Sequence, residues 1–214
     1  MNILLTADIH GSYIAVEKLR MIGKCFDLTI VCGDITPKIV EYGEDLRKVQ
    51  KEWFENVFLP LMDEIDGYFI LGNDDLFDYK SERMLSGNMK LKGLNILAYD
   101  KVPPTSFGTY REVSDEVIWA DLRDVNVEKP FVFITHAPPH GILDSARGRN
   151  FGSVSLKNFV FWKKPILHCF GHIHESFGDI QNEHTVFVNA AFEEEQRFYV
   201  VSINGNSHVK VFEL

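Results

Sequence analysis

The sequence predicts an α/β fold in which two mixed β-sheets stack face to face with helices outside. Three observations lead there. Strand-like runs alternate with helical patterns early in the chain, as crossover-linked parallel pairs do. Three strand-like runs then close the sequence in quick succession, adding antiparallel pairs. The chain has 214 residues, 45% hydrophobic and 25% charged, enough for one full-sized core, so residues 1–214 are expected to form a single domain.

The first strand is "NILLTA" (2–7), rich in aliphatic side chains. A helix follows Ser12, with Val16, Leu19 and Ile22 on one face. "LTIVC" (28–32) is the second strand. Leu46, Val49, Trp53, Val57, Leu61 and Ile65 recur at spacings of three and four, predicting a long helix that Pro60 should kink or split. "GYFIL" (67–71) and "NILAY" (95–99) read as strands, whereas residues 102–124 fit neither period and read as an irregular insertion or edge hairpin. "FVFIT" (131–135), a helix after Ser153 with Leu156, Phe159 and Val160, and "PILHCF" (165–170) come next. "TVFVNA", "RFYVVSI" and "HVKVFEL" end the chain, with a turn at "NGNS". "FVFW" (159–162) reads mostly as core, with a dimer contact the alternative, and "EEE" (193–195) as a solvated turn.

Composition removes several classes of function. Lys plus Arg is 22 against 31 Asp plus Glu, a net charge of -9, which argues against a footprint on duplex nucleic acid. A small phosphorylated ligand remains compatible, because bound cations invert local charge. Cys25, Cys32 and Cys169 are too few and too irregularly spaced for a disulfide framework or a zinc module, and read as core thiols in a reducing compartment. No run approaches the roughly 20 apolar residues of a membrane span, and "MNILLTADIHG" lacks a basic leader. A cytoplasmic protein that does not engage membranes is expected, its oligomeric state open between monomer and homodimer.

Five strand-like runs end in side chains that bind metals: Asp8 and His10, Asp34 after Gly33, Asn73 after Gly72, His136, and His172 with His174. An α/β sheet places its ligand crevice outside the carboxyl ends of its strands. One Gly-Asp or Asp-x-His would be an ordinary turn, but five in register point to a metal site. Imidazole with carboxylate and amide oxygen suits manganese, iron, cobalt, nickel or zinc at higher coordination, and the lack of thiolate argues against a structural zinc site. These side chains are too many for one ion and suffice for two if Asp34, alone at its strand end, bridges. In an extended backbone His172 and His174 would face the same way, about 6.5 to 7 Å apart.

"DIH" (8–10), "GD" (33–34), "GND" (72–74), "THAPP" (135–139) and "GHIH" (171–174) together resemble the five ordered blocks of the calcineurin-like metallophosphoesterases, in particular their small prokaryotic-type phosphodiesterase branch. The resemblance implies a four-layer α/β/β/α sandwich with two mixed β-sheets. It implies that Asp8, His10, Asp34 and His174 hold one divalent ion and that Asp34, Asn73, His136 and His172 hold a second, with manganese the first choice. The implied reaction is hydrolysis of a small phosphate ester by a hydroxide shared between ions about 3.5 to 4 Å apart, with Asp34 and Asn73 at the reacting centre.

The chain departs from that pattern at Asp74, where many members carry a histidine thought to protonate the leaving oxygen. A carboxylate beside two cations is a poor acid, and a general acid is worth about 10² to 10⁴ in rate. His140 is a substitute acid or a plain turn residue. The added charge of Asp74 favours monoanionic diesters over dianionic monoesters. Asp75 would orient a ligand histidine or cap a turn. Arg147 and Arg149 would grip a substrate phosphate, with Ser153 offering a helix N-terminus, or all three are ordinary loop and cap residues. A rival reading makes the protein a catalytically weak scaffold, as the retromer subunit of this fold is; filled ligand positions oppose it. A metal-dependent amidohydrolase is also opposed, since that barrel needs about 250 residues and carries its His-x-His pair after the first strand.

Overall fold

The structure is a computed structural model describing residues 1–105, 108–192, 197–205 and 208–214; the acidic "EEE" run lies outside these. The chain begins with β1 (Asn2–Thr6), α1 (Tyr13–Ile22), β2 (Leu28–Cys32), a long helix made of α2 (Leu46–Trp53), a π turn (Phe54–Phe58) and α3 (Leu59–Glu64), and then β3 (Gly67–Ile70). β4 (Gly87–Leu91), β5 (Leu94–Tyr99), α4 (Asp115–Leu122) and β6 (Phe131–Thr135) follow. A short hairpin of β7 (Ser145–Ala146) and β8 (Arg149–Asn150) leads to α5 (Val154–Lys163) and β9 (Leu167–Phe170). β10 (Gly178–Gln181), β11 (Val186–Asn189), β12 (Tyr199–Asn204) and β13 (His208–Glu213) complete it.

The strands form two mixed sheets, ordered β13-β12-β1-β2-β3 and β10-β11-β9-β6-β5-β4. β1, β2 and β3 are parallel, as are β5, β6, β9 and β11, while β4, β10, β12 and β13 pair antiparallel at the flanks. Alternation along the strands sorts side chains into layers. Ile3, Leu5, Ile30 and Cys32 meet Ile96, Ala98, Val132, Ile134 and Cys169 between the sheets. On the outer face of the first sheet, Leu4, Val31 and Phe69 pack under α1 and the long helix. On that of the second, Leu97, Phe133 and Phe170 pack under α4 and α5. The four-layer α/β/β/α order follows.

Helical structure runs on past Pro60 without a break. The N–H of Leu59 bonds to the carbonyl of Phe54, five residues back, and this widened turn relieves the clash a proline ring makes with the preceding turn. The extra residue rotates the apolar face, so that Phe54 and Phe58 are fully buried beside Trp53 and Leu61. The described residues of 102–124 form no edge hairpin. Val102 and Glu112 form an isolated bridge, and Ser114 then starts α4, which buries Ile118 and Leu122 one turn apart. β4 and β10 are weakly signalled in the sequence: β4 alternates only through Met89 and Leu91, both half-buried, and β10 carries one exposed apolar residue, Ile180. "FVFW" divides: Phe159 and Val160 are core, while Phe161 and Trp162 are half exposed. Cys32 and Cys169 are buried thiols but Cys25 is exposed. Among the described residues no helix is long and apolar enough to cross a membrane.

Candidate metal centre

Seven side chains expected to ligate metal lie on loops leaving the carboxyl ends of five strands. Asp8 and His10 follow β1, Asp34 follows β2 and Asn73 follows β3, all from the first sheet; His136 follows β6 and His172 and His174 follow β9, from the second. Asp8, His10, Asp34 and His172 have φ of 56°, 43°, 52° and 72°. This left-handed conformation is uncommon outside glycine and is characteristic of sites where the surroundings hold strain in place. It corrects the extended reading of the histidine pair. β9 ends at Phe170, and the turn at His172 directs the two rings apart: His172 packs edge-on to His136 at 5.0 Å, and His174 stacks on His10 at 5.4 Å.

The glycines of the motifs make room for the carboxylates. A Cβ on Gly72 would lie 2.2 Å from Asp34 Oδ1, and one on Gly171 would lie 2.1 Å from Asp8 Oδ2. Each carboxylate is anchored by one oxygen, Asp8 Oδ2 accepting from His172 N at 2.8 Å and Asp34 Oδ1 from Asp74 N at 2.8 Å. The other oxygens face imidazoles. Asp8 Oδ1 is 3.4 Å from His174 Nε2 and 3.9 Å from His10 Nε2, while Asp34 Oδ2 is 3.3 Å from His136 Nε2 and 4.0 Å from His10 Nε2. Potential ligand atoms of Asp8, His10 and His174 lie within 4.8 Å of one another, as do those of Asp34, His136 and His172, and those of His10, Asp34 and Asp74. Through the third group, His10 and Asp34 join the first two.

These residues fit divalent cations. Asp8 Oδ1 and both ring nitrogens of His10 are buried with no hydrogen-bond partner, an expensive state for polar atoms unless something else satisfies them. His136 Nδ1 donates to the Cys32 carbonyl at 2.8 Å, so its Nε2 points a lone pair, or a proton, at Asn73 Oδ1 (3.1 Å) and Asp34 Oδ2. Acceptors converging on one point call for a cation there. Burial works against a charged His136, yet Asp34 and Asp8 outweigh it and raise its pKa to about 10. Burial lowers His10 to about 4 against the pull of Asp34 and Asp8. Burial also lowers His172 to about 4, with repulsion from His136 adding to it. Burial alone would raise the Asp8 and Asp34 carboxyls, but His174 and His136 hold the first, and His136, His10 and His172 the second, below the ordinary carboxylate range.

Several supporting residues carry no signal in the sequence. Gln50, buried on α2, donates to the carbonyls of Pro37 (3.0 Å) and Asp74 (2.7 Å) and accepts from Leu76 N (2.9 Å). Arg111 donates to the carbonyls of Gly72 (3.1 Å), Asp75 (2.5 Å) and Phe77 (2.5 Å) and to Asp100 (3.1 Å), fixing the loop after β3. Lys38 Nζ is 3.5 Å from Asp74 Oδ2. Each is an ordinary residue whose role depends on distant chain.

The remaining expected residues separate. Asp74 is at the site: burial and the neighbouring Asp34 raise its pKa. Asp75 touches no histidine in its described hydrogen bonds. Its buried carboxylate accepts from Gly72 N (2.9 Å), Ile35 N (3.0 Å), Thr36 N (2.9 Å) and the Thr36 hydroxyl (2.7 Å), tying the loops of Asp34 and Asn73 together; burial and Asp34 raise it to about 6. His140 lies 3.7 Å from Asp144. Arg147 and Arg149 are exposed on the β7–β8 hairpin. Ser153, buried at the start of α5, acts as its cap: it accepts from Leu156 N at 3.0 Å and donates to Asp115. Asp115 also accepts from Ser155 N at 2.9 Å, so a carboxylate of the chain itself sits at this helix N-terminus.

The family model of the calcineurin-like phosphoesterases matches residues 1–176. The chain is similar to a UPF0046 protein of Caenorhabditis elegans, 32% identical over 129 residues, 59% of this chain and 40% of that protein. It is also similar to human metallophosphoesterase domain-containing protein 1, 43% identical over 63 residues, 28% of this chain and 19% of that protein. Both matches cover less than half of the relative's length. Among solved structures, TT1561 of Thermus thermophilus shares the fold with a TM-score of 0.63 at 14% identity, covering 99% of this chain and 97% of that one.

Proposed function

Because the chain belongs to the calcineurin-like phosphoesterase family, we propose that it is a phosphoesterase that uses two divalent ions, manganese foremost, to hydrolyse small phosphodiesters. One observation carries this reading: ligand atoms of Asp8, His10 and His174 form one cluster, those of Asp34, His136 and His172 a second, and His10 and Asp34 link the two through a third with Asp74. Divalent ions held by these residues would supply an activated water and a Lewis acid for the phosphoryl group. Asp8, His10, Asp34 and His174 would hold one, and Asp34, Asn73, His136 and His172 the other.

The protein's own groups set the preference for diesters. Asp74 presents a carboxylate within 4.8 Å of ligand atoms of His10 and Asp34, so a dianionic monoester meets more repulsion there than a monoanionic diester. Lys38, beside Asp74 and part exposed, offsets some of this charge and can turn to a substrate oxygen. The test compares an aryl phosphomonoester with its matched diester at saturating Mn²⁺. Faster hydrolysis of the diester is expected, and clear preference for the monoester overturns the specificity. Elemental analysis should find about two transition-metal equivalents per chain, as the two ligand groups require.

A further inference from the structure

We infer that Thr109 and Glu112 form a positioning relay that presents the amide of Asn73 oxygen-first to the second ion; the inference rests on the dinuclear reading above. The two ends of an asparagine amide are nearly the same size, and only the oxygen ligates metal. Which end faces the site is therefore decided by what grips the other. Asn73 Nδ2 donates to Thr109 Oγ1 at 2.9 Å and to Asp74 Oδ1 at 3.0 Å. A threonine hydroxyl could equally donate, which would invite the amide to turn over. Here its proton is committed to Glu112 Oε1 at 2.5 Å, leaving only lone pairs for Asn73.

Glu112 is itself held, accepting from Thr109 N at 2.6 Å and from the Thr105 hydroxyl at 2.5 Å. The same segment grips the Asn73 backbone, since Tyr110 N donates to the Asn73 carbonyl at 2.9 Å. At the far end of the relay Asn73 Oδ1 lies 3.1 Å from His136 Nε2, which would ligate the same ion. Groups that orient a ligand in this way are typically worth about 10- to 100-fold in metal affinity.

The experiment is calorimetric titration with Mn²⁺, supported by elemental analysis, on wild type, Thr109→Val, Thr109→Ser and Glu112→Ala, with apo melting curves to confirm folding. Thr109→Val should keep one tight ion and bind the other about 10- to 100-fold more weakly. Thr109→Ser, which retains the hydroxyl, should restore wild-type affinity. Glu112→Ala should weaken the same single ion, and it carries the test if Thr109→Val does not fold. Two ions bound as in wild type by Thr109→Val, equal weakening of both, or no rescue by serine would each overturn the relay. Fewer than two ions in wild type would overturn the dinuclear reading itself.

Discussion

Asp34 divides its carboxylate between anchoring and ligation, one oxygen taking the Asp74 N–H and the other facing His136 and His10. Asp34→Asn should therefore reduce bound metal from about two equivalents to at most one and lower diesterase activity at least about 100-fold, checked by elemental analysis and initial rates. Gly72→Ala should do similar damage without replacing a ligand residue, because the new Cβ would stand 2.2 Å from Asp34 Oδ1; metal stoichiometry is the readout. Asp74→His puts an acid beside the leaving oxygen and should raise turnover of alkyl esters, whose leaving groups are poor, by at least about tenfold. His140, paired with Asp144, is the control: His140→Ala should change kcat less than about twofold, within the scatter of surface substitutions.

At the scale of elements, the start of α5 and the loops after β1, β2 and β3 behave differently. Ser153→Ala removes a helix cap and a partner of Asp115, and should cost about 1 to 2 kcal/mol in urea denaturation while leaving KM unchanged. A large rise in KM would instead support a substrate role for Ser153. The ligand loops are legible because strand, glycine and chelating side chain occur together in sequence, and the sheet order brings their ends to one rim. The conformation of those loops is not legible, since nothing in "ADIH" or "GHIH" announces a positive φ at Asp8 or His172. Nor is the π turn, because the spacing from Leu46 to Ile65 assumes a uniform helical period that one extra residue breaks. Thr109, Arg111 and Glu112 sit in a stretch without periodicity, and the first two take their roles from contacts with residues more than 30 positions away.

For the whole molecule, acid stability is set partly by a histidine away from the ligands. The Thr135 hydroxyl gives its proton to the Ala137 carbonyl (2.6 Å), so His168 Nε2 must donate to it at 2.9 Å. Nδ1 is left bare and without a partner among Phe133, Phe170 and Phe187. Burial lowers the His168 pKa from 6.5 to about 3. Between those values the unfolded chain holds the proton and the folded one does not. Stability from this group is complete above pH 6.5 and falls by about 1.4 kcal/mol per unit as the pH drops towards 3. His10 and His172, also lowered by burial, add to this fall in the metal-free protein, so urea melts at about pH 7 and about pH 5 should show stability dropping with pH and His168→Gln should make the drop shallower by about 1.4 kcal/mol per unit.

Because one sheet supplies Asp8, His10, Asp34 and Asn73 and the other His136, His172 and His174, the cations would rivet two slabs together along a single edge. Chelation should then loosen that edge alone: amide deuterium uptake would quicken around residues 8–11, 34–36, 72–75 and 171–174 and stay slow in the mid-strand seam of Ile30, Val132 and Cys169. The chelator would open the molecule like a book whose spine lies at the opposite margin.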